Sequence, residues 1–145
     1  RAAGYYLLSR ILMQRCPACN ARLIERLICS RCRADLTALI GSEQAAQQWY
    51  IKAVEYYLSA DIEQCITANA ISLSLHKTGL AQIFRDFIIQ QQCGEILDLL
   101  AQRKLQTAKC NLYKLRFLLP YSKQLQHLNA FSDYLLIMKC ESSPT

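Results

Sequence analysis

The stretch CPACNARLIERLICSRC places Cys16, Cys19, Cys29 and Cys32 within seventeen residues, as two CxxC pairs with nine residues between them. A CxxC turn sets two sulfurs on one side of a tight loop. Two such turns facing each other supply four sulfurs in a tetrahedron, the closed arrangement of a structural metal site. Pro17 sits in the first loop, where its fixed φ helps shape the turn. Between Gln14 and Ile40 there is no Phe, Tyr or Trp. A segment of roughly 20 residues with so little to bury folds on a metal more readily than on a core of its own. The bland alternative is four unliganded core cysteines.

Charge follows the cysteines. Residues 1–40 carry seven Arg against two acids, a net of +5, whereas residues 41–145 carry ten basic side chains against nine acidic ones, a net of +1. Four thiolates around a divalent cation contribute −2, so much of the arginine offsets thiolate charge. The basic balance is therefore a weaker pointer to nucleic acid than the net +6 suggests. Close CxxC pairs fit a reducing, cytoplasmic compartment, where they read as metal ligands rather than disulfides. No run approaches the length of a bilayer span.

The segment CPACNARLIERLICSRCRADL resembles the small zinc ribbons, whose pattern is a CPxCG turn, a short hairpin, a CxxCG turn and a hydrophobic residue. Cys16, Pro17, Cys19, Cys29, Cys32 and Leu36 match it, while Asn20 and Arg33 stand where that family has Gly. Asn tolerates positive φ; Arg33 suggests a looser second turn. The resemblance implies one structural zinc ion held by Cys16, Cys19, Cys29 and Cys32 in a ribbon over residues 14–38. Rubredoxin is similar in its paired turns and implies iron and electron transfer. Its pairs are separated by a longer segment with an aromatic core, which favours zinc here.

From residue 42 onward the pattern is helical. Gly and Pro are scarce, with four and three in the chain. Ser42 before Glu43 reads as an N-cap. Trp49, Ala53, Tyr56 and Tyr57 recur at helical steps, SAD at 59–61 breaks the run, and Ile62, Cys65, Ile66 and Asn69 begin a second helix. This stretch resembles one tetratricopeptide (TPR) repeat, with Trp49, Ala53, Tyr56, Asp61, Cys65, Leu73 and Leu75 at matching places, Ala60 replacing the turn Gly and Lys77 the final Pro. A fainter copy ends at Pro120, with Leu99, Ala108, Leu115 and Leu118 in corresponding positions. The 43 residues from Lys77 to Pro120 exceed the ordinary period of about 34, so GLAQIFRDFIIQQ extends a helix between the copies. SKQLQHLNAFSDYLLIMK supplies a capping helix. A generic helical bundle explains the same stripes.

The expected architecture is mostly α: an N-terminal extension over 1–13 with helical character, the ribbon over 14–38, TPR-like antiparallel helix pairs with a capping helix over 42–139, and a disordered tail over 140–145. No Gly-rich phosphate loop, HExxH or GxSxG motif is present. His76 and His127 have no ligand partner at suitable spacing, and Cys65 reads as a small core residue. The expected function is a non-enzymatic adaptor or accessory subunit of a larger protein complex, with Trp49, Tyr50, Tyr57, Gln90 and Gln91 as the partner-binding residues. The second expectation is a nucleic-acid-binding ribbon using Arg22, Arg26, Arg31 and Arg33. The third is an iron-bearing electron carrier.

Overall fold

The computed structural model describes residues 13–23 and 27–141. The expected extension therefore lies outside the described residues except for Met13, and so does the tail beyond Glu141. No helix among the described residues is long and apolar enough to cross a membrane.

The chain is mostly helical. α1 spans Thr37–Leu58, α2 Ile62–Leu75, α3 Gly79–Ala101 and α4 Leu105–Lys114; a 3₁₀ helix follows over Arg116–Tyr121 and α5 runs over Lys123–Glu141. α1 starts five residues before Ser42. The carboxylate of Asp35 accepts hydrogen bonds from the Thr37 hydroxyl and backbone N–H, at 2.6 and 2.9 Å, which hold its acid well below the usual carboxylate range. An anion at this end of a helix is favourable. Ser42 lies inside the helix and donates to the Leu39 carbonyl at 3.1 Å, so it caps nothing.

α1 and α2 form the most extensively packed helix pair. Small side chains allow the close approach: Ala46 and Ala53 of α1 and Ala68 of α2 are buried. Ser72 donates its hydroxyl to the Ala46 carbonyl at 2.7 Å across this seam. One turn earlier in α2, Asn69 donates to the Ala81 carbonyl at 3.1 Å and so fastens the start of α3. The main core gathers Cys65 and Ile66 of α2, Ile88, Ile89, Cys93 and Ile96 of α3, Leu112, Leu115 and Leu118, and Leu125 and Leu128 of α5. Lys109 of α4 reaches both Asn129 and Asp133 of α5, at 2.7 and 2.6 Å.

Two connections reverse the chain in the same way. After α1, Asp61 N–H bonds the Tyr56 carbonyl and Ala60 N–H the Tyr57 carbonyl. After α3, Lys104 N–H bonds the Leu99 carbonyl and Arg103 N–H the Leu100 carbonyl. These are Schellman closures, which place one residue in the left-handed region and usually make it Gly. Here those residues are Ala60 and Arg103, at φ 61° and 57°. A side chain there costs about 1 kcal/mol. Asp61 then caps α2 by accepting from Gln64 N–H at 3.2 Å.

Ala60→Gly and Arg103→Gly should each raise the unfolding free energy by about 0.5–1 kcal/mol, since the relief of backbone strain exceeds the added freedom of the unfolded chain. Leu112→Ala, at a fully buried position, should lower it by about 2–5 kcal/mol. Chemical denaturation of the three variants checks both signs.

Candidate metal centre

The N-terminal lobe consists of two turns built alike. In the first, Asn20 N–H bonds the Cys16 carbonyl at 2.8 Å, Cys16 N–H the Ala21 carbonyl at 2.9 Å and Leu23 N–H the Gln14 carbonyl at 2.9 Å. In the second, Arg33 N–H bonds the Cys29 carbonyl at 2.9 Å, Cys29 N–H the Ala34 carbonyl at 3.0 Å and Leu36 N–H the Leu27 carbonyl at 2.7 Å. Every partner in the second set lies thirteen residues after its counterpart. The antiparallel bridges, Arg15 with Arg22 and Ile28 with Asp35, obey the same offset.

Asn20 and Arg33 both adopt φ 58°. The looser second turn expected from Arg33 is not found: its closing bond matches that of the first turn to within 0.1 Å. Arg33 accepts the left-handed strain because that conformation turns the following Ala34 carbonyl back onto the Cys29 N–H and so closes the turn that carries the two sulfurs.

The four sulfurs all lie within 4.8 Å of one another, close enough to coordinate one metal ion. Cys16 and Cys32 are 3.6 Å apart, as are Cys19 and Cys29, and the four are free thiols. A tetrahedron of thiolates with metal–sulfur bonds of about 2.3 Å has edges of about 3.8 Å, so little movement is needed. The first cysteine of each pair is buried, at 2% and 1% exposure for Cys16 and Cys29, while Cys32 faces solvent. Leu36 is buried in one cluster with Cys16 and Cys29, and Ala21, Leu23, Ala34 and Ile40 pack against that cluster.

Electrostatics splits the quartet. The backbone N–H groups of Cys32 and Arg31 point at the Cys29 sulfur and favour its thiolate, pulling the thiol down to about 6 against partial desolvation. At Cys32 the Ala34 N–H also favours ionisation. Desolvation and the three neighbouring sulfurs outweigh it and push that thiol up to about 12. Crowded thiols cannot all ionise without a compensating cation, and a metal ion would supply that charge. Four thiolates also fill a four-coordinate shell and leave no position for a substrate.

The remaining candidates lie elsewhere. Tyr50 and Tyr57 of α1 meet Phe84 of α3 edge-on, at ring-centroid distances of 5.7 and 5.8 Å, and Tyr57 also meets Phe87 at 5.6 Å. Both tyrosines therefore pack α1 on α3. Trp49 is half-buried beneath the Lys52 ammonium, and Gln90 and Gln91 are exposed on α3. Arg22, Arg31 and Arg33 are exposed; Arg26 lies outside the described residues. Cys65 is buried, and desolvation pushes its thiol up to about 11, so it is a poor nucleophile at neutral pH.

The thirteen-residue repeat is the one element of this site that motif spacing left unseen. It is written in the sequence as Ala21 and Leu23 recurring as Ala34 and Leu36. No protein-family model, curated protein or solved structure matches the chain.

Elemental analysis should return one divalent ion per chain, and Cys29→Ser should lose it. Arg33→Gly should tighten binding about two- to fivefold, because the relief of backbone strain in the folded lobe exceeds the added freedom of the metal-free chain. Acidification should release the ion, since protons compete for the same sulfurs. A chelator competition series across pH measures all of these.

Proposed function

We propose that the chain is a non-enzymatic adaptor or accessory subunit. In this reading residues 14–38 form a structural zinc ribbon and residues 42–139 a TPR-like domain of antiparallel helix pairs that binds a larger protein. Zinc is preferred to iron because the lobe has no aromatic shell, and a thiolate set of this kind needs a reducing, cytoplasmic setting.

The observation that carries the reading is an apolar stripe left open on α3. Leu80, Ile83 and Phe87 are 45%, 68% and 42% exposed and recur at one helical face. Gln90 and Gln91 continue that face toward the C-terminus, and Tyr57 borders it through Phe87. A run of large exposed side chains rimmed by amides is the surface of a protein contact rather than of a solvated helix. The helix pairing rests on the close α1–α2 seam and on the short closure at Ala60.

A second reading, the nucleic-acid-binding ribbon, draws on the exposed guanidinium groups of Arg22, Arg31 and Arg33 around the cysteine turns. It requires affinity that falls steeply with salt.

Ile83→Ser combined with Phe87→Ser should abolish co-purification of the partner while leaving helix content and metal stoichiometry unchanged. Wild-type chain that remains monomeric, captures no partner and fails to bind an apolar dye would defeat the adaptor reading. Salt-sensitive oligonucleotide binding lost on neutralising Arg22, Arg31 and Arg33 would put the second reading in its place.

A further inference from the structure

On the other side of the helical body, α2 and the 3₁₀ helix frame an apolar groove formed by two overlapping hollows of 290 and 400 Å³. Ile66 and Ala70 of α2 line both. Phe117 and Tyr121 of the 3₁₀ helix stand beside them, 58% and 61% exposed. Lys77, just past the end of α2, and Arg85 of α3 line the same groove.

The cations are arranged for a ligand that brings negative charge. The Arg85 guanidinium lies 4.5 Å from the centroid of the Tyr121 ring, and that of Arg116 lies 4.5 Å from the Phe117 ring. Each aromatic wall is thus backed by a positive charge. Arg85 also pairs with Asp86 at 3.0 Å, but the Asp86 side chain is 62% exposed and such a pair is weak and exchangeable. Arg116 meets Glu63 only at 3.7 Å. Lys77 is exposed and has no ion-pair partner among the described residues. No carboxylate lines either hollow.

We infer that this groove docks a short acidic segment of a protein partner. The segment seats a large apolar side chain over Ile66 and Ala70, between Phe117 and Tyr121, and turns an adjacent Asp or Glu toward Lys77 and Arg85. The inference rests on the adaptor reading and supplies the chemistry of its partner. A second copy of the chain is disfavoured as occupant because each copy carries a net +6. A nucleic acid is disfavoured because the floor is hydrocarbon, with nothing at Ile66 or Ala70 to pair with base edges, and one face of each ring is already taken by a guanidinium.

The test selects random peptides displayed on phage, and in parallel a random pool of single-stranded oligonucleotides, on the intact metal-loaded chain. Selected peptides should pair a bulky apolar residue with neighbouring Asp or Glu. Lys77→Glu should weaken them about tenfold, and Phe117→Ser, at an exposed position, by a similar factor. Lys52→Glu, which makes the same charge change on α1, should leave them unchanged. Circular dichroism confirms that the variants are folded. The proposal fails if no peptides are selected, if the selected peptides lack acid enrichment, if they bind Lys77→Glu and Phe117→Ser like wild type, or if only oligonucleotides are retained by the groove. Loss of the co-purifying partner on Ile83→Ser with Phe87→Ser, but not on Lys77→Glu, leaves the adaptor reading standing and removes the groove. Absence of any partner in both experiments removes both.

Discussion

Four sulfurs gathered within 4.8 Å repel one another as soon as they ionise, and a bound cation would turn that repulsion into attraction. Among the described residues the apolar support is small. The small cluster around Leu36 is made of two alanines, two leucines, Ile40 and three of the cysteines. The backbone bonds that close each turn position sulfur but bury almost no hydrocarbon. Coordination would do for this lobe what the isoleucine and leucine core does for the helices, and the second cysteine turn leads directly into α1. Asp35 and Leu36 end the second turn in the geometry that lets Thr37 begin a helix.

The quartet was legible because ligand spacing is a short-range property. Two residues between cysteines fix a turn, and a turn fixes where sulfur points. The same spacing did not reveal how closely the second turn would copy the first. Arg33 carries a side chain into a left-handed conformation, which sequence preference alone argues against. Ser42 misled for a related reason. A good capping side chain marks a helix start only where the chain is otherwise free to start, and here the second cysteine turn hands the chain over at Thr37.

Periodicity recovered the helices from Ile62 onward and the lengthening of α3, which the 43-residue interval required. It could not distinguish a face turned to a partner from one turned to a neighbouring helix. Tyr50 and Tyr57 have the size and spacing of contact residues, yet Phe84 of the same chain meets both. Gln90 and Gln91 are on the open side. Only the placement of α3 against α1 separates the two cases, and it follows from long-range contacts, the α1–α2 seam at Ala46, Ala53 and Ser72 and the Asn69 bond to the Ala81 carbonyl of α3, which a single sequence does not display.

Met13 donates its backbone N–H to the carboxylate of Glu43 at 3.0 Å, and Glu43 is a buried residue of α1. The chain entering the lobe is thus tethered to the same helix that the lobe flows into. The sulfur turns sit inside a closed ring whose two ends share one rigid post. Closing that ring before coordination shortens the conformational search the ligands must make. By linkage, displacing this tether from Glu43 would loosen the hold of the four sulfurs on an ion, so that metal retention would report on the state of α1.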